Sequence, residues 1–209
     1  MNNRIIAYCI ALVISSVINV GKAQDMSLIE KLYGNLASSC IEIEYTYGAQ
    51  LSGVRTVGDG VLLLQGDMWR MDGNGVLMWC DAETLWIADP SLKEAVIESA
   101  SGAVSGELSN PAMLFMNLET HFYVTQVQET SDGKSLLYIL TPKTESDIEY
   151  CNVEILRSDA SISKGEFIMA DGNVVIVTVS DMTVMPKKNI EAFRPSGFFD
   201  SSWIITDMR

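Results

Sequence analysis

The sequence predicts a mainly β protein built on one large antiparallel sheet of about eleven strands. Short runs that are apolar or alternate between apolar and polar residues follow one another along the chain, and turn residues separate them about every eight to twelve residues. Few connections are long enough to cross over to a parallel neighbour. Because about eleven twisted strands rarely stay flat, such a sheet either closes into a barrel or curls around helices on its concave side.

The composition fits one globular domain with an acidic surface. The chain has 209 residues, of which 48% are hydrophobic and 20% charged, enough to bury a core. Its formal net charge of −13 would become −15 without residues 1–23, since these contain Arg4 and Lys22 and no acid. This charge repels phosphate backbones and anionic headgroups, so we expect no nucleic acid as a partner and no electrostatic docking on a bilayer. We assign residues 24–209 to the single domain.

Residues 1–23 are predicted to be a signal peptide that is cleaved on export. Arg4 precedes an uncharged, mostly apolar run over residues 5–20, and small residues stand at the two positions that a signal peptidase reads before cleavage after Ala23. A retained membrane anchor is the alternative, but a run of sixteen residues is short for a span of about twenty. A lipoprotein signal is poorly supported, because Cys9 comes too early and follows a bulky residue.

Three cysteines would remain after export: Cys40, Cys80 and Cys151. An odd number in an oxidising compartment permits one disulfide and requires none, because buried cysteines also pack as small hydrophobic residues. Their spacing matches no zinc-binding pattern, so no metal site is expected.

The domain is predicted to begin with an amphipathic helix followed by a strand that is covered on one face. Ser27 and Glu30 have the spacing of a capping box, and apolar residues recur at helical intervals from Met26 to Leu36. From Ile41 to Tyr47, apolar residues alternate strictly with polar ones, which is typical of a strand with one buried face.

The stretch from Gly58 to Pro90 predicts an antiparallel meander. It contains three of the four tryptophans, and the pair Asn74-Gly75 predicts a tight hairpin because both residues tolerate positive φ angles. Its short runs are apolar on both faces and rich in Met and Trp, which makes this the most deformable apolar part of the chain. The predicted strands are Val61–Gln65, Met68–Asp72, Val76–Cys80 and Thr84–Ala88.

A second, short helix is predicted over residues 109–118. Ser109 or Asn110 can cap it, and Pro111 fits its first turn. The helix is apolar almost all round, so it has to be shielded on more than one side. The other predicted strands are Glu94–Glu98, Phe122–Gln128, Ser135–Thr141, Glu149–Leu156, Ile162–Met169, Val174–Ser180 and Trp203–Thr206.

Several short motifs occur in a characteristic order and spacing, and together they resemble the LolA family, the periplasmic carriers of outer-membrane lipoproteins. The likeness runs from the first helix to the carboxyl end, and its single pieces are less specific than their order. The motifs are a Gly-containing strand and an aromatic strand before Asp81–Trp86 and Asp89-Pro90, then Asn110–Leu114, Leu140–Lys143, Phe193–Gly197 and Asp207–Arg209.

The chain departs from the family at three places. Ala82 stands where the family has a hairpin glycine, Ala88 where it has a tyrosine, and Gln65-Gly66-Asp67 replaces a Lys-Arg-Pro turn. In the family, the arginine of that turn holds the lid helix shut through polar contacts. Its absence leaves two alternatives for this chain: closure by apolar contact alone, or closure through other polar residues.

The resemblance implies an incomplete, half-open antiparallel β-barrel with helices over an apolar concave face that takes acyl chains. It further implies a periplasmic monomer, without a cofactor, that receives acylated lipoproteins from an inner-membrane lipoprotein-releasing transporter and delivers them to an outer-membrane acceptor. Plain core packing is the alternative for each methionine and for Trp86. The residues expected to line the lipid-binding cavity are Tyr45, Trp69, Met71, Met78, Trp86, Met113, Leu114, Phe115 and Met116.

Two other classes of function compete with carriage. A periplasmic module of the same fold that senses lipids or lipoproteins would need the same cavity and no transport partners. An exported hydrolase is disfavoured, because His121, the single histidine, has no nucleophile motif near it. The acids Glu42, Glu44 and Asp147 to Glu149 have the pattern of solvated faces, so we expect no catalytic residues.

Overall fold

The computed structural model describes residues 26–51, 54–100 and 118–209. In this part, residues 26–38 form helix α1, Leu118–His121 form the one-turn helix α2, and Ile190–Phe193 form a 3-10 helix. No helix of the described segments is long and apolar enough to cross a bilayer. The strands are β1 (Cys40–Leu51), β2 (Val54–Gln65), β3 (Met68–Gly73), β4 (Val76–Asp81), β5 (Thr84–Asp89), β6 (Glu94–Ser99), β7 (Phe122–Glu129), β8 (Ser135–Pro142), β9 (Ile148–Leu156), β10 (Ile162–Met169), β11 (Val174–Met185) and β12 (Ile204–Asp207).

All twelve strands belong to one sheet, in the order β12-β6-β5-β4-β3-β2-β1-β11-β10-β9-β8-β7. Strands β1 to β6 form one antiparallel meander and β7 to β11 another, and the pairing of β1 with β11 is the single seam between them. The predicted antiparallel sheet is confirmed for the pairings among β1 to β11, whereas the edge strand β12 is parallel to β6. In the described residues β7 and β12 stand at opposite edges, which confirms an open sheet rather than a closed barrel.

The predicted tight hairpin between β3 and β4 is confirmed. Strand β3 ends at Gly73 and β4 begins at Val76, so that Asn74 and Gly75 alone form the turn. Both turn residues have positive φ angles, 54° and 77°. This is the backbone geometry of a type I′ turn, which matches the twist of the flanking strands.

One face of the sheet, here called the inner face, carries the main hydrophobic core. Residues directly opposite each other in neighbouring strands share a face. One such row crosses the first five strands through Ile43, Leu62, Met71, Met78 and Ile87. The same core includes the fully buried Ile29 and Leu32 of α1, which confirms the amphipathic first helix and accounts for its apolar stripe.

A second hydrophobic cluster, here called the outer cluster, lies on the opposite face of β4, β5 and β6. It consists of Trp79, Ala88 and Ala95, with Leu77, Trp86, Phe199 and Trp203 packed against them. Ring centroids lie 5.1 Å apart for Trp79 and Phe198 and for Phe199 and Trp203. Residues 198–203 therefore cover the outer face of β4, β5 and β6. This cover explains why the sequences of these strands are apolar on both faces.

The three described cysteines, Cys40, Cys80 and Cys151, are free and buried. Burial raises the pKa of each thiol, and it raises that of Cys151 to about 12. Of the two alternatives that the sequence left open, the structure therefore has buried thiols that pack as small hydrophobic residues.

Candidate functional site

Four of the nine predicted cavity residues come together on the inner face. Tyr45, Trp69 and Met71 are 3%, 4% and 7% exposed, and all belong to the main core. Met78 is half-buried, stands opposite Met71 and packs against the same core. Tyr45 of β1 and Trp69 and Met71 of β3 share one buried face, while the role of this face as a lipid cavity stays a prediction.

The other five predicted residues are not part of this group. Trp86 stands opposite Trp79 in β5 and β4 and belongs to the outer cluster, on the other face from Met78. Met113, Leu114, Phe115 and Met116 lie outside the described residues, as does the rest of the second predicted helix before Leu118. The site considered below therefore consists of Tyr45, Trp69, Met71, Met78 and their neighbours.

A glycine in β2 makes room for the tyrosine of this group. Tyr45 stands directly opposite Gly60. A Cβ at Gly60 would lie 2.8 Å from the Tyr45 hydroxyl oxygen and 2.9 Å from the carbonyl oxygen of Asp72. Burial raises the pKa of Tyr45 to about 12, so the ring is neutral at physiological pH and contributes apolar surface.

The inner face is fully covered at its centre and only partly covered towards both sides. The residues on the inner faces of β9, β10 and β11 nearest the seam are buried, among them Val153, Phe167 and Val177. Sequence reasoning missed the half-buried apolar residues of the two sides, although the alternation in β7 is a signal for them. They are Ile87 and Val96 in β5 and β6, and Phe122, Val124 and Val127 in β7.

The polar groups of this region have structural roles. The residues described contain no group of three or more histidines, cysteines or acids that could hold a metal ion. His121 is exposed, and its backbone carbonyl accepts a hydrogen bond from the backbone N–H of Lys143 at 2.8 Å. Glu44 is exposed on the face opposite Tyr45, as predicted for a solvated face.

The turn that lacks the family's arginine holds the C-terminal part of the chain. The buried side chain of Gln65 donates to the backbone carbonyl of Lys188 at 3.1 Å and accepts from its N–H at 2.7 Å. Near it, Asp81 accepts a hydrogen bond from Arg194. Two motifs of the family resemblance thus meet here, and together they fasten residues 188–194 to β2 and to the end of β4.

Neither a family model nor a curated protein matches the sequence. Among solved structures, the chain is similar to an uncharacterised conserved protein from Thermus thermophilus, with 9% identity, coverage of 88% of this chain and 99% of that one, and a TM-score of 0.55. It is also similar to a LolA superfamily protein from Nitrosomonas europaea, with 14% identity, coverage of 83% of this chain and 98% of that one, and a TM-score of 0.45. A third similar structure is a protein domain named for outer-membrane lipoprotein sorting, from Vibrio parahaemolyticus. Its identity is 11%, the match covers 84% of this chain and 98% of that one, and the TM-score is 0.44. At these identities the likeness concerns the fold alone.

Proposed function

We propose that this protein binds the acyl chains of lipoproteins on the inner face of its sheet and carries them through the periplasm. The observation on which the proposal depends is the apolar inner face, which extends beyond its buried centre. Half-buried apolar side chains stand on both sides of that centre, with Met78 and Ile87 on one side and Val124 and Val127 on the other.

Dimensions support a role for this surface beyond that of a core. A helix of the length of α1, residues 26–38, is about 20 Å long and about 10 Å in diameter. Strands lie about 4.8 Å apart, so such a helix overlies about two strands if it runs along them and about four if it crosses them. The half-buried apolar side chains of β4, β5 and β7 can accept a further cover, and a flexible hydrocarbon chain fits an irregular surface of Met and aliphatic side chains.

The strength of hydrophobic burial defines how such a carrier has to work. At about 0.8 kcal/mol per methylene, three long acyl chains represent on the order of 30 kcal/mol in water. This exceeds the practical limit of noncovalent affinity, about 18 to 21 kcal/mol. The cargo is therefore passed directly between apolar surfaces, from a donor that holds it slightly less well to an acceptor that holds it slightly better.

In this proposal an inner-membrane lipoprotein-releasing transporter loads the protein and an outer-membrane acceptor receives the cargo. Residues 1–23 export the chain to the periplasm, and the protein acts as a monomer without a cofactor. The acidic net charge, −13 for the whole chain and −15 without residues 1–23, supports a route through solution, since it disfavours adsorption to anionic headgroups.

Two adjacent residues of β4 allow a matched test. Met78 and Leu77 are both half-buried, but Met78 is on the inner face and Leu77 is in the outer cluster. We expect Met78→Glu to abolish binding of a fluorescently labelled diacylated peptide and Leu77→Glu to retain it. Thermal unfolding of both variants serves as the control, and equal binding by the two variants would contradict an acyl site on the inner face.

A second experiment separates carriage from sensing. The protein is isolated from the periplasm under mild conditions, and its bound molecules are identified by mass spectrometry. Carriage predicts acylated lipoproteins in wild type and their loss in Met78→Glu. Recovery of free fatty acids or phospholipids only would count against carriage and in favour of a lipid-sensing module.

A further inference from the structure

The two edges of the sheet differ in how they are protected against pairing with another chain. Edge strand β7 has a register shift between Val124 and Gln126, and apart from Tyr123 its exposed side chains are Thr, Gln and Glu. Bulges and polar residues are common means of blocking an edge. Edge strand β12 pairs with β6 without a register shift. It exposes two isoleucines, Ile204 by 64% and Ile205 by 46%, on opposite faces of the strand.

The backbone of β12 presents hydrogen-bonding groups away from β6. The N–H groups of Ile204 and Met208 donate to the carbonyl oxygens of Lys93 and Ile97 at 2.9 and 2.8 Å. Because such groups alternate in direction along a strand, the N–H and C=O groups of Ile205 point outward. In the described part of the chain no strand lies on that side. An extended backbone can pair with groups in this arrangement by adding a strand to the edge.

The charge around this edge indicates which kind of extended segment can bind there. Residues 89–99 and 199–209, which form β6, β12 and their flanks, contain five acids and two bases, a net charge of −3. Arg209 is paired with Asp207, whereas Glu94 and Glu98 take part in none of the ion pairs among the described residues. A second copy of the chain would bring the same acidic edge and a total charge of −13, so self-pairing is disfavoured.

We propose that β12 is a docking edge for an extended segment of a partner protein that is apolar at alternate positions and flanked by basic residues. The segment adds to the sheet as a thirteenth strand and bonds to the outward groups of Ile205. Its apolar side chains pack on Ile204 and Ile205, and its basic residues are attracted by Glu94 and Glu98. Four residues make a footprint of about 13 Å, so the contact is transient. This proposal is independent of lipid binding on the inner face.

The probe is a labelled nine-residue peptide with a central Val-Thr-Val-Thr-Val segment and two lysines at each end. Its binding to the full chain is measured by fluorescence anisotropy at low and at physiological salt. The control peptide has the same centre and glutamates at both ends. We expect the lysine peptide to bind at least about tenfold more tightly than the glutamate peptide, with a difference that shrinks as salt increases.

Variants at one position separate the backbone contribution from the side-chain contribution. Ile205→Pro removes the outward N–H and leaves the hydrogen bonds of Ile204 and Met208 to β6 in place. An edge strand tolerates proline at such an outward position. Ile205→Thr keeps the N–H and the branched shape. We expect the proline variant to lose at least about tenfold in affinity for the lysine peptide and the threonine variant less than about threefold. A lysine peptide methylated at alternate backbone nitrogens should lose binding to the unaltered protein.

Three results would overturn the proposal. The first is equal binding of the lysine and glutamate peptides. The second is unchanged binding by Ile205→Pro together with full binding of the N-methylated peptide. The third is a dimer in analytical ultracentrifugation that Ile205→Pro dissociates, because the occupant of the edge would then be a second copy of this chain.

Discussion

Arg194 donates a hydrogen bond from its Nε to Oδ2 of Asp81 at 2.7 Å, which ties the 3-10 helix near the carboxyl end to the end of β4. The same carboxylate accepts hydrogen bonds from the backbone N–H groups of Glu83 and Thr84 at 3.1 and 2.9 Å. Asp81 is buried, and Phe193 beside the arginine is fully buried. One carboxylate thus fixes both the turn between β4 and β5 and the position of the C-terminal segment.

We expect Asp81→Ala to lower the free energy of unfolding by about 3 kcal/mol, because a buried Thr84 N–H loses its acceptor and hydrogen bonds to charged groups contribute about 1.5–3 kcal/mol each. Urea unfolding followed by tryptophan fluorescence measures the change. Asp207→Ala is the matched control, since Asp207 pairs with Arg209 on the surface. An equally large effect in the control would show that burial of Asp81 is unimportant.

The contribution of Asp81 should depend on pH. Burial by itself would raise the pKa of Asp81, but hydrogen bonds from Thr84, Arg194 and Glu83 outweigh it and hold the pKa below its ordinary value of 3.8. A carboxylate with a lowered folded-state pKa stabilises the fold above its unfolded-state pKa and loses this contribution as the pH falls towards the folded-state value. The difference in unfolding free energy between wild type and Asp81→Asn should therefore be largest near about pH 6 and shrink below about pH 4. A difference that grows on acidification would contradict this assignment.

We expect Ala82→Gly to stabilise the protein by roughly 0.5–1 kcal/mol. Ala82 is exposed and has a φ of 78°, a left-handed conformation in which its Cβ is strained and glycine is not. The gain is smaller than the full strain because glycine also has more freedom in the unfolded chain. Ala88→Gly, in the regular part of β5, should destabilise instead. Thermal unfolding measures the stability of both variants, and a loss of stability in Ala82→Gly would show that the turn is not strained.

Gly60→Ala should destabilise the protein by about 1–3 kcal/mol, the usual cost of overpacking. The added methyl group would collide with the Tyr45 hydroxyl and with the carbonyl oxygen of Asp72. The Asp72 backbone is held in the ladder between β2 and β3, so it cannot easily move away. Gly48→Ala in β1 is the control, because a Cβ there has no atom within 4 Å. Chemical unfolding curves for the two variants should separate clearly, and coincident curves would mean that Tyr45 is not packed over Gly60.

The fold was predictable where local chemistry allows one solution. Strict alternation from Ile41 to Tyr47 determines the buried face of β1, and the Asn74-Gly75 pair determines the hairpin between β3 and β4. The parallel pairing of β12 with β6 was not predictable in this way. This pairing forms because the C-terminal segment returns to the edge of the sheet beside β6. The four residues of β12 contain no local signal that predicts whether the neighbouring strand is parallel or antiparallel.

The face on which each candidate site residue lies was predictable in β1 and β3 but not in β4 and β5. Met78 and Trp86 both stand in runs that are apolar on both faces, so a period of two residues gives no information about which face is inner. The face of Trp86 is set by what covers it, and Phe199 and Trp203 come more than one hundred residues later. The sequence contained these aromatic residues, but nothing local links them to β5.

The seam between β1 and β11 sets how the two meanders of the sheet are placed relative to each other. Strand β6 lies five strand spacings from β1, a lever of about 24 Å, so a rotation of about 5° at the seam displaces it by about 2 Å. The seam contains an irregular step between Glu44 and Tyr45, where the ladder is interrupted and the local twist is larger. The twist at this one step therefore contributes to where the distant β6 lies relative to the other half of the sheet.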